Sequence, residues 1–294
     1  MRFDSYHPTL NFIFFISVIA MTFAFNHPMF TLIAFVSAFI YSVKLSTIRA
    51  LIFNLACIVF ALIYTAYYSY YTHFGSTVLT LNIIGNNMTL ESILYALSRG
   101  FRFATVLMWF SCMNVIVSSD KVIYLLGRLS PKLSLFLSIT LRIVPRVKAS
   151  AKKIHTAQQC LGRGVNQGSI FRRIRNLIKL ISIVITWTME NLVESSESMR
   201  SRGYTLKGRT AYSIYRFDNR DRAVTIILFW MITLVSMGTF LDQTKMIFDP
   251  EIIINPITFM SVLFYVFYAV LCLLPLCLES IGEFKHKLAV REVA

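Results

Sequence analysis

Apolar residues along this chain come in long runs rather than at alternating positions. A helix needs about 17 to 25 mostly apolar residues to cross a hydrocarbon core near 30 Å. Six runs approach that length: Thr9 to Phe25, Pro28 to Val43, Ala50 to Tyr71, Phe101 to Val117, Val224 to Leu241 and Ile257 to Leu278. The pattern predicts an all-α membrane protein with about six transmembrane helices. The first two runs are short and joined by Asn26-His27-Pro28, so they are either two spans or one re-entrant hairpin. Leu10 to Phe25 resembles the core of a signal peptide, but no A-x-A-like site follows it and a second apolar run begins at once, so it reads as the first span. Residues 72–99, with Gly75 and Gly85-Asn86-Asn87, alternate small polar and β-branched positions and predict a turn or short hairpin. Thr89, followed by Glu91 and Ser92, is the N-cap candidate for the helix after it.

The middle of the chain has a different period. Leu133, Leu137, Leu141, Val144, Val147, Ala151, Ile154 and Leu161 recur mostly three or four apart, while Arg142, Arg146, Lys148, Lys152 and Lys153 fill other faces. That predicts an amphipathic helix of about eight turns, kinked or interrupted at Pro145, the candidate hinge. A second stripe runs through Ile170, Ile174, Leu177, Ile181, Val184, Thr188, Leu192 and Met199, with Arg172, Arg173, Arg175 and Lys179 opposite its early turns. Its uncharged stretch, Leu180 to Met189, is too short to span. Two long amphipathic helices therefore lie outside the bilayer or at its surface. The expected organisation is 1–120 as a transmembrane region of about four spans, 121–222 as a cytoplasmic region, and 223–294 as a second transmembrane region of two spans.

Charge sharpens this division. The 294 residues are 56% hydrophobic and 15% charged, with 29 basic and 14 acidic side chains, which excludes an ordinary soluble globule. Residues 121–222 hold 20 of the basic and 5 of the acidic groups, so the whole +15 resides there and the remainder is neutral. Cytoplasmic loops collect Lys and Arg. Lys44 and Arg49, the 121–222 block, and Lys285, Lys287 and Arg291 all fall on one side if there are six spans, with both termini in the cytoplasm and the chain in the inner (plasma) membrane. Arg99 and Arg102 dissent, since they sit at the outer end of the fourth span. Because topology already explains the sign and place of the excess, no nucleic-acid partner is inferred from it. The five cysteines form no C-x-x-C pair and the five histidines no H-E-x-x-H, so neither a disulfide framework nor a metal site is expected. No P-loop is present. Glu190, Glu194 and Glu197 share a helical face, read as an acidic stripe facing basic helices in preference to an acid/base centre.

Each amphipathic helix finishes on an Arg-Gly, in Gly162-Arg163-Gly164 and Ser201-Arg202-Gly203, the arginines 39 residues apart. For one motif alone, a glycine cap with a cation at the negative end of the helix dipole is sufficient reason. Two copies at corresponding ends, each with a small residue before the arginine, point instead to docking, because an unhindered guanidinium can fork onto a carboxylate.

Thr89-Leu90-Glu91, Ser119-Asp120-Lys121-Val122, Leu141-Arg142-Ile143-Val144-Pro145, Ala157-Gln158 to Arg163-Gly164, and Met199 to Arg202-Gly203-Tyr204 follow one another in an order that resembles the transmembrane T component of energy-coupling factor (ECF) transporters, the CbiQ-like family. The likeness is firm over about residues 88–210 and compositional elsewhere. It implies a non-catalytic subunit without a cofactor of its own, whose Ala-Arg-Gly or Ala-Arg-Ser motifs dock into two ABC-type ATPases. Those motifs fall on Gly162, Arg163 and Gly164 and on Ser201, Arg202 and Gly203, with Gly and Ser where Ala is usual. ATP-driven motion would pass through the two helices to a small membrane S component that carries a vitamin or metal ion. The stripe residues Leu133, Leu137, Leu141, Val144, Val147, Ile174, Leu177, Ile181 and Val184 are candidates for contact with that component or between helices. The alternatives are the permease subunit of a conventional ABC transporter, which usually couples through one short cytoplasmic helix, and a membrane-embedded transferase, which would need an acidic metal cluster that does not appear.

Overall fold

A computed structural model describes residues 3–72, 75–81, 87–204, 206, 215–244, 246–248, 253–254 and 258–293. They form an all-α membrane protein with two short hairpins: α1 (Pro8–Ala24), α2 (Pro28–Tyr71), β1 (Val78–Leu81), β2 (Asn87–Thr89), α3 (Leu90–Ile116), α4 (Ser119–Leu129), α5 (Pro131–Cys160), α6 (Ile170–Ser201), α7 (Asn219–Phe240), β3 (Met246–Ile247), β4 (Ile253–Ile254) and α8 (Phe259–Val293). The chain divides into two compact units, 1–121 with 215–294, and 122–214.

The first unit carries the apolar runs. His-Pro opens both of its first helices: Pro8 and Pro28 stand in the first turn, where the missing N–H is no loss. The Nδ1 atoms of His7 and His27 accept from the N–H groups of Thr9 and Met29, each at 3.3 Å. Residues 9–43 thus form two separate helices. At 44 residues α2 would be about 66 Å long if straight, twice a hydrocarbon core, but Ser46 and Thr47 leave helical dihedrals and divide it into two arms. Six apolar helical segments result: α1, the two arms of α2, α3, α7 and α8. By length and composition, α2, α7 and residues 259–284 of α8 are each sufficient to cross a membrane, and α3 qualifies together with α4 although the pair is bent by 85°. In one respect α6 departs from expectation. It too is long and apolar enough to cross, because a span tolerates the few charges flanking its short uncharged stretch.

The expected hairpin before α3 is present, β1 pairing antiparallel with β2 from Val78 opposite Thr89 to Leu81 opposite Asn87. Its Gly85-Asn86 turn lies outside the described residues, as do the start of the last predicted run at Ile257 and the side chains of Lys285, Lys287 and Arg291. Thr89 caps α3 as read from the sequence, its hydroxyl accepting from the Ser92 N–H at 3.4 Å. Gly100 lets α3 approach α2, where a Cβ would stand 2.8 Å from the Ala61 carbonyl oxygen. The core is built of rings and small residues: Phe14 and Phe15 meet Trp109 edge-on at 6.0 and 6.3 Å, and Ala34, Ala38 and Ala104 are fully buried.

Two buried cations organise the ends of this unit. Arg102 is not a loop charge at all. It is buried and donates to Asn26 Oδ1 at 2.6 Å, while the backbone N–H groups of Asn26 and His27 bond the Thr244 carbonyl at 3.1 Å. Arg99 lies over the Tyr95 ring. Of the two arginines, Arg102 is therefore a buried structural group, whereas Arg99 is exposed. At the other end Lys121, 4% exposed, bonds the Asp4 carboxylate, the Asp4 carbonyl at 2.7 Å and the Ile116 carbonyl at 3.1 Å. In the amide orientation that satisfies both partners, Asn11 adds an oxygen 3.0 Å from the same ammonium and donates to the Phe3 carbonyl at 3.2 Å. Phe3 is fully buried, its N–H donating to Glu279 Oε1 of α8 at 3.0 Å. His7 packs on the Phe217 ring at 5.1 Å, and Arg220 lies over Tyr6 at 5.0 Å.

Replacing Lys121 by Met should cost roughly 1.5–3 kcal/mol, the range for hydrogen bonds to a charged group, with most of it from the carbonyls because Asp4 is partly screened by water. Lys44→Ala, which removes a half-exposed pair with Glu279 and Glu283, should cost under about 1 kcal/mol. Thermal unfolding in one detergent checks the order; equal losses would contradict it.

Candidate docking site

The second unit consists of α4 beyond its first turn, α5, a tight loop and α6. Among its described residues only Gly164 is buried, so both long helices present most of their surface outward. Helix α5 continues through Pro145, so of the two expected outcomes there, a kink or an interruption, the interruption does not occur. The proline removes one backbone hydrogen bond without ending the helix. A true interruption occurs in α2 instead, at Ser46 and Thr47.

Both long helices end in the same backbone motif. At the end of α5, the Gly162 N–H donates to the Gln159 carbonyl at 3.0 Å and the Arg163 N–H to the Gln158 carbonyl at 2.9 Å. At the end of α6, Gly203 donates to Arg200 at 3.1 Å and Tyr204 to Met199 at 3.2 Å. Gly162 and Gly203 have φ of +71° and +78°. This is the Schellman arrangement, with a left-handed glycine directly after the cap residue. Aligning the two ends on that glycine places Arg163 just beyond it and Arg202 just before it. The arginines are therefore two positions out of step, although the motifs align one to one in sequence. Gly162 is also not the weak point in a helix that its place before Arg163 implies, since it lies outside the helix in the conformation that favours glycine.

Gly164 has a separate role. Its N–H donates to Gln167 Oε1 at 3.0 Å and its carbonyl accepts from Asn176 Nδ2 at 3.2 Å, tying the loop to the second turn of α6. Arg173 Nε bonds the Gly168 carbonyl at 3.1 Å. The loop holds the two helices as a pair while leaving both arginines, Arg163 and Arg202, exposed. Ser201 bonds back to the Ser198 carbonyl at 2.9 Å and keeps its small side chain out of the way of the guanidinium beside it.

The apolar stripes face outward. Leu133, Leu141, Val144, Ile174, Leu177 and Ile181 are exposed, and Leu137, Val147 and Val184 are half-buried. So much uncovered apolar surface is the mark of an interface. Glu190, Glu194 and Glu197 are exposed as well. Among the described residues no group of three His, Cys, Asp or Glu side chains comes together in a form that could hold a metal. Sequence reasoning missed one feature. Arg142 and Arg146 line a groove between α5 and α6 together with Arg202. Their four-residue spacing was visible, but the partnership with Arg202 depends on how the helices cross.

Comparison with known proteins gives a consistent answer. A family model described as CbiQ, cobalt transport protein, matches residues 5–212. The energy-coupling factor transporter transmembrane protein EcfT of Lactobacillus helveticus is 30% identical over 107 residues, covering 36% of this chain and 38% of that protein. EcfT of Lactococcus lactis is 24% identical over 156 residues, covering 49% and 59%, and EcfT of Lacticaseibacillus paracasei 32% over 91 residues, covering 31% and 34%. The chain thus spans about a third to three fifths of the length of these relatives.

The caps predict a specific mutational pattern. Gly162→Ala meets no atom within 4 Å and should cost only the left-handed strain of about 1–2 kcal/mol, as should Gly203→Ala, whose Cβ meets only a flexible leucine end. Gly162→Asn should be milder. Gly164→Ala acts differently, by a 2.8 Å contact with Gln159 Cγ. Hydrogen exchange at the Arg163 and Tyr204 amides reads this out: the first two substitutions should each deprotect only their own cap. Deprotection of neither would contradict the assignment.

Proposed function

The chain belongs to the CbiQ family of cobalt transport proteins, and on that premise we propose that it is the transmembrane energy-coupling subunit of an ECF-type ABC importer. It performs no chemistry. Two ABC-type ATPases bind the ends of α5 and α6, and their ATP-driven motion travels along the two helices to a small membrane S component that releases a vitamin or metal ion inside. The Gly162-Arg163-Gly164 and Ser201-Arg202-Gly203 ends are the ATPase-docking residues. The outward stripes from Leu133 to Val147 and from Ile174 to Val184 are the surface for the S component and for the helix pair itself, and Pro145 is the point where α5 is easiest to bend.

One observation carries the reading: two long helices of one unit end in the same rigid glycine cap, each with an exposed arginine at its tip. A guanidinium fork suits a carboxylate in a receiving groove, and a Schellman cap fixes where the fork is presented. A rigid end is what a lever needs, since slack at the contact absorbs the stroke. The two-position offset between Arg163 and Arg202 further means that the two ends present their guanidiniums differently, which suits two non-identical ATPases or two unlike grooves. The 1–120 and 223–294 regions serve as the membrane anchor, with both termini and the α5–α6 region in the cytoplasm of a cell bounded by its plasma membrane.

Replacing both Arg163 and Arg202 by Glu brings carboxylates against grooves expected to hold carboxylates. The double variant should insert into the membrane normally, lose co-purification with the ATPase pair and lose uptake. Each single variant should retain part of both unless the ends act as one unit. Unchanged co-purification and uptake in the double variant would overturn the docking assignment.

A further inference from the structure

The groove between α5 and α6 has a volume of roughly 300 Å³ and is lined by Arg142, Arg146 and Arg202, with Ser195, Ser198 and Asn191 beside them. No acidic residue lines it. Among the described residues, none of the three guanidiniums makes an ion pair or a side-chain hydrogen bond. Helix α5 contains six basic residues and no acidic one, so it brings no counter-ion of its own. Arg142 and Arg146 stand one turn apart, where two like charges weaken a helix rather than support it. The groove therefore gathers three guanidiniums with no counter-ion among its lining residues.

The form of the anion follows from the donors. One guanidinium fork already satisfies a carboxylate, whereas three forks with two hydroxyls alongside match the larger number of acceptors on a phosphate; the Asn191 amide is engaged with the Trp187 carbonyl at 2.6 Å. Leu135, Ile139 and Ile143, from the same helix as Arg142 and Arg146, add an apolar part to the lining, and Trp187 and Tyr204 also line it. Ring side chains at the boundary between a basic and an apolar face are the signature of a helix lying in a membrane interface. Basic pockets between helices on the cytoplasmic side of a membrane suit anionic lipid headgroups. A free phosphate shares the charge but has no use for the apolar part.

We propose that this groove binds the phosphate of an anionic phospholipid, held by Arg142 and Arg146 with Arg202 as a third donor and the acyl end against Ile139 and Ile143. The site does not rest on the docking role of Arg163 and Arg202, because Arg142 and Arg146 belong to neither helix end. Arg202 is common to both sites, so a bound headgroup steadies the end of α6 that the ATPase is proposed to receive.

The test is native mass spectrometry of the purified full chain in mild detergent, titrated with phosphatidylglycerol, phosphatidylcholine or inorganic phosphate. The wild type should retain phosphatidylglycerol about tenfold over phosphatidylcholine. Arg142→Gln with Arg146→Gln should bring the two lipids within about twofold, and Arg142→Lys with Arg146→Lys should fall between, keeping the charge but losing the fork. Circular dichroism confirms that each variant is folded, and the lysine pair carries the test if the glutamine pair is not. Millimolar inorganic phosphate should leave the lipid bound. Equal retention of both lipids by the wild type, or an unchanged preference in a folded variant, overturns the proposal. So does displacement of the lipid by inorganic phosphate, which would assign the site to a soluble anion. Loss of ATPase co-purification at unchanged lipid preference would likewise overturn it, giving the groove to a protein carboxylate.

Discussion

A single buried ammonium holds the place where the chain leaves its membrane unit. Lys121 is the last residue before the chain leaves that unit, and its charge is almost entirely buried. A buried cation must be matched by acceptors or it is expelled, and here the acceptors come from the Asp4 carboxylate and carbonyl, the Ile116 carbonyl and Asn11. The same five residues at the N-terminal end, Phe3 to His7, also meet the returning chain through Phe217 and Arg220, and α8 through Glu279. Both crossings between the units, at Lys121 and near Tyr215, are thereby fastened to one short segment.

The two units meet the hydrophobic constraint in opposite ways. The membrane unit buries whole rings, with Trp109, Phe14, Phe15, Tyr41 and Tyr268 almost without exposure, and lets helices close on alanine and on Gly100. Among its described residues the second unit buries only Gly164. Its order comes from local devices: the Gly164 clasp on Gln167 and Asn176, and the two glycine caps. Such a unit keeps its shape at the ends and leaves its apolar faces uncovered.

Much of this was legible in the order of residues. Long apolar runs locate the apolar helices of the first unit because period and length are local properties, although by length and composition only four helices, or five with the bent α3–α4 pair, are sufficient to cross a membrane, and α6 is one of them. Thr89 declares the start of α3 for the same reason. What stayed hidden depended on distance or on phase. Arg102 and Lys121 enter any charge count as loop cations, and only Asn26 and Asp4, remote in sequence, reveal them as buried. At the end of α5, glycines flank Arg163 on both sides, and which one turns left-handed is decided by where the last helical turn closes. The choice of Gly162 over Gly164 shifts Arg163 relative to Arg202 by two positions, which no alignment of the two motifs displays. The Arg142, Arg146 and Arg202 groove required the helix crossing itself.

In its proposed role this chain couples a pair of ATPases to a separate substrate-binding membrane protein. The most direct measurement is purification of the tagged full chain from its own membranes in mild detergent, with every retained protein identified by mass spectrometry and its stoichiometry counted. The account predicts two ABC-type ATPase subunits and one small, strongly apolar membrane protein for each copy of the chain. Recovery of the chain alone, or with a second permease and a soluble binding protein in place of the small membrane protein, would contradict it.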